Sequence, residues 1–300
     1  MSHAMSEALP GFLEPEFLKK LEHLRLVAKR LSRSIPKGEH PSSLRGFSLE
    51  FSDYRRYQKG DDLRYVDWNI YRRLGRLWLK LFTAEEEMNI YLLLDASQSM
   101  AEGRPAKIEY AKRVAAALGY IGLKNLDRVG GASFSADFFS PLALGRGRNQ
   151  ILTLFQFLEN LSCQGKTDLG ASAQAFAGLF SRPGLAVLLS DLFDLQGWRA
   201  ALEELVRKKY QVLVIHILDR SELEHGPMGD VLFADVESQK ERRVFLDKDL
   251  ARRFQEELQS YFGEIEGFCL SRRMDYFRTT TATPFEDFVL LTLRHAHSIK

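Results

Sequence analysis

Three oxygen-bearing side chains follow one short apolar run at alternating positions. The run from Asn89 to Leu94 ends in Asp95, and Ser97 and Ser99 come soon after it. A run of this length, ended by polar residues and followed by a helical pattern, predicts a buried strand of a parallel sheet. Ligands of such sheets bind outside the carboxyl ends of the strands. Because magnesium and other hard cations prefer oxygen ligands, these residues predict a metal site.

Two later positions supply further oxygen atoms. Thr167 lies on a loop between two predicted helices, and Asp191 follows the apolar run from Leu185 to Ser190. Since loops after parallel strands meet at one edge of a sheet, we expect these residues to converge with the first group. Carboxylates and hydroxyls without histidine or cysteine favour magnesium or manganese over zinc. The predicted metal ligands are Asp95, Ser97, Ser99, Thr167 and Asp191.

The elements that must position these residues alternate between helix and strand. After the first strand, apolar residues from Ile108 to Ile121 recur at helical spacing, with Pro105 well placed at the helix start. Two strand-like runs, 128–135 and 138–142, are so close that we expect a hairpin with an edge strand. The pattern then continues with helices near 151–161, 169–180 and 198–208 and strands at 185–190 and 211–218. For residues 89–219 this alternation predicts an α/β fold with a doubly wound, mostly parallel sheet.

Three further segments flank the predicted sheet domain. Residues 1–45 combine an amphipathic helix over 14–31 with a linker rich in proline, glycine and serine. Residues 46–88 are dense in aromatic residues and arginines, and we expect this block to pack on the core. Residues 220–300 are predicted to add a hairpin, a helix over 249–262 and a closing helix that complete the same body.

The overall composition argues against several classes of protein. The 300 residues are 45% hydrophobic, and the formal net charge of +2 is too small to favour nucleic acid or an anionic membrane as a partner. No apolar run approaches the roughly 20 residues of a membrane span, so we expect no transmembrane segment. Cys163 and Cys269 are far apart and lack metal-ligating neighbours, which favours reduced thiols and a cytoplasmic protein.

Arginines and aromatic residues are interleaved through residues 46–82, a composition that also occurs at nucleic-acid-binding surfaces. Aspartates lie among them at positions 53, 61, 62 and 67. These carboxylates give the arginines local partners, so the segment need not be electropositive. We therefore expect no nucleic-acid binding.

Around these residues the sequence resembles two known families. The residues similar to the opening of a von Willebrand factor A-type domain are Asp95-Ala96-Ser97-Gln98-Ser99, Lys107, Asp127-Arg128-Val129-Gly130 and Phe134. Those similar to the second and third parts of that domain's metal site are Gly165-Lys166-Thr167 and Ser190-Asp191. Those that resemble bacterial proteins of the domain-of-unknown-function-58 family are Tyr54-Arg55-Arg56-Tyr57, Gly60-Asp61-Asp62, Arg64 and Val66-Asp67-Trp68.

The resemblance implies a function as well as a fold. In A-type domains the corresponding motifs form a metal-ion-dependent adhesion site. Such a site implies a non-catalytic binding or assembly module, whose Mg²⁺ or Mn²⁺ ion engages an acidic residue of a partner protein. Members of the second family are often discussed as partners of MoxR-type AAA+ ATPases, so the resemblance also implies an ATPase of that type as the partner.

Two other interpretations fit parts of the same pattern. The serines can cap the helix after the strand, which would leave a structural A-type domain with an empty metal site. Alternatively, Asp95, with Asp191 and Asp194 after a later strand, loosely resembles a Mg²⁺-dependent phosphatase that uses an aspartate nucleophile. That chemistry needs a carboxylate two residues after the nucleophile as general acid, and residue 97 is serine. We therefore expect a protein that is not an enzyme.

Overall fold

The structure, a computed structural model, describes residues 11–33, 49–84, 87–136, 138–223, 229–234 and 241–298; the predicted linker after residue 33 lies outside them. The helices are α1 (Pro15–Arg33), α2 (Trp68–Leu74), α3 (Lys107–Lys124), α4 (Gly147–Glu159), α5 (Leu169–Leu179), α6 (Gly197–Arg207), α7 (Arg220–Leu223), α8 (Lys248–Ser271) and α9 (Phe285–Ser298). The strands are β1 (Leu49–Arg56), β2 (Trp78–Ala84), β3 (Asn89–Asp95), β4 (Arg128–Phe134), β5 (Phe139–Gly145), β6 (Leu185–Ser190), β7 (Gln211–Leu218), β8 (Gly229–Ala234), β9 (Glu241–Leu246) and β10 (Asp275–Thr280). The chain forms two compact units, residues 38–87 and residues 1–37 with 88–300.

The larger unit is built on a six-stranded sheet in the order β10-β7-β6-β3-β4-β5. Every neighbouring pair is parallel except β4 and β5, which form the predicted antiparallel hairpin at one edge. The chain leaves β3 toward β4 on one side and later returns to β6 on its other side, so a topological switch point lies between β3 and β6. The predicted α/β fold with a mostly parallel sheet is confirmed.

Helices cover both faces of this sheet. Leu92 and Leu94 of β3 belong to one apolar cluster, which α1, α3, α4 and α9 complete. Tyr91 and Leu93, which point to the opposite face, belong to a second cluster with residues of α5, α6 and α8. Because both faces of the strand are buried, β3 is apolar at successive positions rather than at alternate ones.

The C-terminal part of the larger unit differs from the prediction in two elements. Residues 275–280, to which the sequence pattern assigned no strand, form β10 and pair with β7 at the edge of the sheet. This strand mixes polar and aromatic residues, because an edge strand is only partly buried. Helix α8 continues to Ser271 rather than ending at Phe262, since Ile265 and Phe268 remain buried along the same helix.

The smaller unit contains β1 and β2, which pair antiparallel, with α2 between them in sequence. Two of its arginines pair with aspartates as predicted: Arg55 with Asp61 and Arg64 with Asp62, each at 2.6 Å. Asp67 has a different role, because its Oδ1 accepts hydrogen bonds from two backbone N–H groups at the start of α2 and caps that helix. Asp67 is buried, and this capping role explains why a carboxylate is buried there.

Both cysteines are free thiols, as the sequence predicts. Burial raises the pKa of Cys163 to about 12 and that of Cys269 to about 12, so both stay protonated at neutral pH. Among the helices that the structure describes, none combines the length and the apolar composition that crossing a membrane requires.

Candidate metal centre

Asp95 is the last residue of β3 and is completely buried. Its Oδ1 accepts a hydrogen bond from the backbone N–H of Ser97 at 3.0 Å. Its Oδ2 accepts one from the hydroxyl of Ser190, the last residue of β6, at 2.6 Å. The carboxylate is therefore fixed at the switch point between β3 and β6, where open α/β sheets bind their ligands.

The hydroxyls of Ser97 and Ser99 form a hydrogen bond in which their oxygens lie 3.1 Å apart. A short 3₁₀ turn over Gln98–Ala101 shapes the chain here. Adjacent ligands of an octahedral Mg²⁺ ion, each at about 2.1 Å from it, lie about 3 Å from each other. The spacing of the two hydroxyls therefore fits neighbouring positions around one ion. Neither serine caps α3, which begins at Lys107 with Ala106 as its N-cap.

Thr167 lies on the loop between α4 and α5, and backbone hydrogen bonds join this loop to the one that carries the serines. The N–H of Gln98 donates to the carbonyl of Gly165 at 2.9 Å, and the N–H of Gln164 donates to the carbonyl of Ala96 at 2.9 Å. Because only backbone atoms form these bonds, they align the loops independently of the side chains. They bring the threonine to the same edge of the sheet as the two serines.

Asp191 follows β6 and is also completely buried. Its Oδ2 accepts a hydrogen bond from the ammonium of Lys107 at 2.7 Å, and its Oδ1 accepts a longer one from the N–H of Phe193 at 3.3 Å. Burial, and then the negative charge of Asp191, raise the pKa of Asp95 to about 7. A bound divalent cation would relieve the electrostatic cost of keeping both carboxylates ionised in this environment.

The predicted ligands thus share one edge of the sheet, although they come from three separate segments, 95–99, 167 and 191. Asp95 accepts a hydrogen bond from Ser97, and Ser97 in turn is hydrogen-bonded to Ser99. Asp191 acts on Asp95 through its charge, and backbone hydrogen bonds join the loop of Thr167 to the serine loop. Within the described residues, histidine, cysteine and carboxylate side chains form no group of three or more that could hold a metal. An ion at this edge would therefore depend on the hydroxyls, and its coordination stays a prediction.

Two charged residues at this edge, Lys107 and Glu222, were not among the residues predicted to form the site. Lys107 is completely buried, and its ammonium donates to Glu222 of α7 as well as to Asp191. The signal for Lys107 is its place in α3, one turn before Ala111 on the buried face. A lysine on an apolar helical face needs a charged partner. Glu222 has no comparable local signal, because its partner lies 115 residues earlier.

Asp219 follows β7 and joins the segments beside this edge. Its carboxylate accepts hydrogen bonds from the hydroxyls of Ser221 at 2.6 Å and Thr281 at 2.8 Å and from the N–H of Arg104 at 3.3 Å. Although burial opposes ionisation, these bonds lower the pKa of Asp219 to about 2. Gly103 has φ +102°, and a Cβ there would lie 2.8 Å from Asp219 Oδ2. The loop that leads into α3 therefore needs glycine to approach this carboxylate.

Asp194, which the phosphatase interpretation included, has a structural role. Its Oδ1 accepts a hydrogen bond from the N–H of Gly197 at 2.8 Å, and its Oδ2 accepts one from the N–H of Leu169 at 3.0 Å. These bonds provide acceptors for the first backbone N–H groups of α6 and α5, and they hold the starts of the two helices together. Both oxygens are therefore used in fixing the fold.

We expect the stability that Asp95 contributes to the metal-free protein to fall as the pH rises from about 4 to about 7. The contribution is read as the difference between the wild type and Asp95→Asn, because the buried His216, whose pKa is lowered from 6.5 to about 4, acts in the opposite direction in both proteins. The pKa of Asp95 is raised from 3.8 to about 7, so the folded chain keeps a proton that the unfolded chain releases between these values. The contribution of Asp95 is fully present below this window and falls across it by up to about 1.4 kcal/mol per pH unit. Urea unfolding with a chelator present measures the effect, and Asp95→Asn should remove it. A pH-independent difference between the two proteins would contradict this assignment.

Some solved structures are similar in fold to parts of this chain. A crystal structure of an aerotolerance-related membrane protein from Bacteroides fragilis has 18% identity and a TM-score of 0.45, and the likeness covers 71% of this chain and 100% of that one. A von Willebrand factor type A structure from Catenulispora acidiphila has 13% identity and a TM-score of 0.38, covering 72% of this chain and 43% of that one. These likenesses are distant, and the fold is established by the strand order described above.

Relatives in sequence extend over most of the chain. The uncharacterized protein Rv1480 of Mycobacterium tuberculosis is 26% identical over 242 residues, which cover 79% of this chain and 76% of the relative. The uncharacterized protein Mb1516 of Mycobacterium bovis matches to the same extent. A family described as "Protein of unknown function DUF58" matches residues 53–261, a range that contains every predicted metal ligand. The chain therefore belongs to the DUF58 family.

Proposed function

We propose that this protein is a non-catalytic binding module that engages an acidic side chain of a partner protein through a Mg²⁺ or Mn²⁺ ion. Ser97, Ser99 and Thr167 would bind the ion through their hydroxyls. Asp95 and Asp191 would hold it directly or through water, since magnesium gives up its waters reluctantly. The partner's carboxylate would take the position that remains.

The observation that carries this proposal is the 3.1 Å separation of the Ser97 and Ser99 hydroxyl oxygens beside the completely buried Asp95. It matches the spacing of adjacent ligands around an octahedral ion, and the ligand set contains only oxygen. Neutral hydroxyls leave much of the ion's charge unneutralised. An ion held in this way favours an added carboxylate from outside the chain.

Binding rather than catalysis is supported by the groups around the proposed ion. Residue 97 is serine, where an aspartate-based phosphatase needs its general acid. The carboxylate of Asp194 accepts backbone hydrogen bonds at two helix starts. These features favour a ligand-binding site over a hydrolytic one.

For the partner we propose a MoxR-type AAA+ ATPase, the class that the resemblance of the upstream block implies. The ion-bound carboxylate would then be an aspartate or glutamate on the surface of that ATPase. We place the encounter in the cytoplasm, where the two free thiols would stay reduced.

We expect binding of a purified MoxR-type ATPase to weaken by at least roughly tenfold when a chelator replaces Mg²⁺, and to recover when Mg²⁺ is restored in excess. The physical reason is that the ion forms the bridge between the two proteins. Biolayer interferometry with the immobilised chain measures the affinity in each condition.

Two outcomes would count against parts of this proposal. Binding that the chelator leaves unchanged would contradict the ion bridge and would point to residues 46–88 as the interface. A complete lack of binding in Mg²⁺ would contradict the choice of partner, and direct titration of the chain with Mg²⁺ would then decide whether the ion site exists.

A further inference from the structure

A lysine ammonium already lies at the edge where the ion is proposed to bind. The Nζ of Lys107 donates to Asp191 Oδ2 at 2.7 Å and to a carboxylate oxygen of Glu222. The side chains of Lys107 and Asp191 are completely buried, whereas Glu222 keeps 23% of its side-chain surface exposed. Buried lysines need charged partners, and here one of the partners is itself a predicted metal ligand.

Lys107 makes the shorter of the two hydrogen bonds that Asp191 accepts through its side chain. The remaining oxygen, Oδ1, accepts the N–H of Phe193 at 3.3 Å. The donors to Asp95, in contrast, are neutral: the N–H of Ser97 and the hydroxyl of Ser190. An ion that bound Asp191 directly would share the carboxylate with a second cation, and like charges this close repel strongly when they are buried.

We propose that Lys107 is a built-in competing cation, which keeps Asp191 from binding the divalent ion directly and so keeps the ion weakly bound until an acidic partner arrives. This inference rests on the proposed function, because it concerns the same ion. The partner's carboxylate supplies the negative charge that Lys107 neutralises at Asp191. Ion and partner therefore bind cooperatively, each raising the affinity for the other.

Glu222 limits the effect of Lys107 on Asp191, because it pairs with the same ammonium. One of its oxygens accepts the ammonium, and the other accepts the N–H of Asp219 at 2.8 Å, which anchors it at the end of β7. Since Glu222 shares the ammonium with Asp191, its removal leaves Lys107 to Asp191 alone. Loss of Glu222 should therefore weaken ion binding, and loss of Lys107 should strengthen it.

Titration with Mn²⁺, followed by the electron paramagnetic resonance signal of the free ion, tests this role. The informative protein carries Lys107→Met with Glu222→Gln, because it frees Asp191 and keeps the formal charge of the cluster unchanged. The matched control carries Lys112→Met with Glu109→Gln, an ion pair of 2.9 Å on the same helix. We expect the first protein to bind Mn²⁺ at least roughly tenfold more tightly than the wild type, and the control to bind as the wild type does.

A second measurement separates direct ligation by Asp191 from a general effect of charge. If Asp191 enters the inner sphere, it displaces a water, so electron spin echo measurements in deuterated water should count fewer waters on bound Mn²⁺ in the double variant. Circular dichroism establishes that each protein is folded. Glu222→Gln alone keeps the buried lysine paired, and it should bind Mn²⁺ more weakly than the wild type.

The outcomes separate this inference from the proposed function. If the wild type binds Mn²⁺ and the folded double variant binds it no more tightly, the role of Lys107 is overturned and the proposed function stands. Should the double variant fail to fold, unchanged or tighter binding by Glu222→Gln overturns the role in the same way. If the wild type binds no Mn²⁺ either alone or with the MoxR-type ATPase present, the proposed function is overturned, and binding by the double variant alone would show that Lys107 excludes the ion. No binding by either folded protein overturns both.

Discussion

The Asp95→Ala variant is expected to lose at least about a hundredfold in affinity for Mg²⁺ while the chain stays folded. Asp95 is the carboxylate at the end of β3, it is completely buried, and the groups that donate hydrogen bonds to it, from Ser97 and Ser190, are neutral. Its charge is therefore available to a cation, whereas that of Asp191 is shared with Lys107. Without Asp95, the proposed ion would have only the hydroxyls and Asp191, whose charge is partly neutralised by Lys107. Isothermal titration calorimetry with MgCl₂ measures the loss.

The same substitution should be tolerated by the fold. It leaves the N–H of Ser97 and the hydroxyl of Ser190 without their acceptor, and an unsatisfied buried donor costs about 1–3 kcal/mol, but it also removes the cost of a buried carboxylate. Asp247→Ala is a suitable control, because Asp247 caps α8 by accepting the N–H of Leu250 at 2.8 Å. That variant should lose about 1 kcal/mol of stability and bind Mg²⁺ as the wild type does. An unchanged heat of Mg²⁺ titration in Asp95→Ala would refute the metal assignment.

The Lys107→Met variant is expected to lose about 3–5 kcal/mol in the free energy of unfolding. Methionine has nearly the length of lysine, so the change removes the charge with little change in packing. It leaves Asp191, which is completely buried, and Glu222 without the ammonium that they share. A buried carboxylate without its cation keeps the full cost of desolvation. Urea unfolding in metal-free buffer measures the difference.

Two further variants show whether the loss comes from the broken ion pairs. Adding Glu222→Gln should recover part of the stability, since one unpaired carboxylate is removed. Lys112→Met breaks the pair with Glu109, in which the lysine side chain keeps 8% and the glutamate side chain 39% of its surface exposed. It should cost less than Lys107→Met, because the carboxylate that it leaves unpaired is reached by solvent. Equal losses in Lys107→Met and Lys112→Met would show that the buried cluster contributes nothing particular to stability.

The position of the candidate site was predictable because its signals are local. An apolar run that ends in Asp95, with serines at alternating positions after it, identifies a buried strand and the loop that leaves it. The same holds for Leu185–Ser190 and Asp191. Given a parallel sheet, the carboxyl ends of these strands must share an edge. Their roles as ligands stay a prediction, which the Mg²⁺ titration tests.

The cations and carboxylates around the predicted ligands were harder to identify. Lys107 carries a weak signal, because it lies on the buried face of α3. Its partners Asp191 and Glu222 lie 84 and 115 residues later, and Asp219 meets Thr281 across 62 residues. Pairings over such separations depend on how strands and helices are arranged in space. The spacing of residues along the chain therefore does not predict them.

By itself, the sequence determined the strands and helices of the sheet domain, its mostly parallel topology and the edge at which the oxygen-bearing residues gather. Hydrophobic periodicity and the polar ends of strands are properties of neighbouring residues, so they can be recognised without the fold. Only the tertiary structure decided that β10 completes the sheet beside β7 and that a buried lysine holds Asp191. Both depend on non-local contacts, since an edge strand gains its place from its neighbour and a buried charge gains its stability from a distant partner.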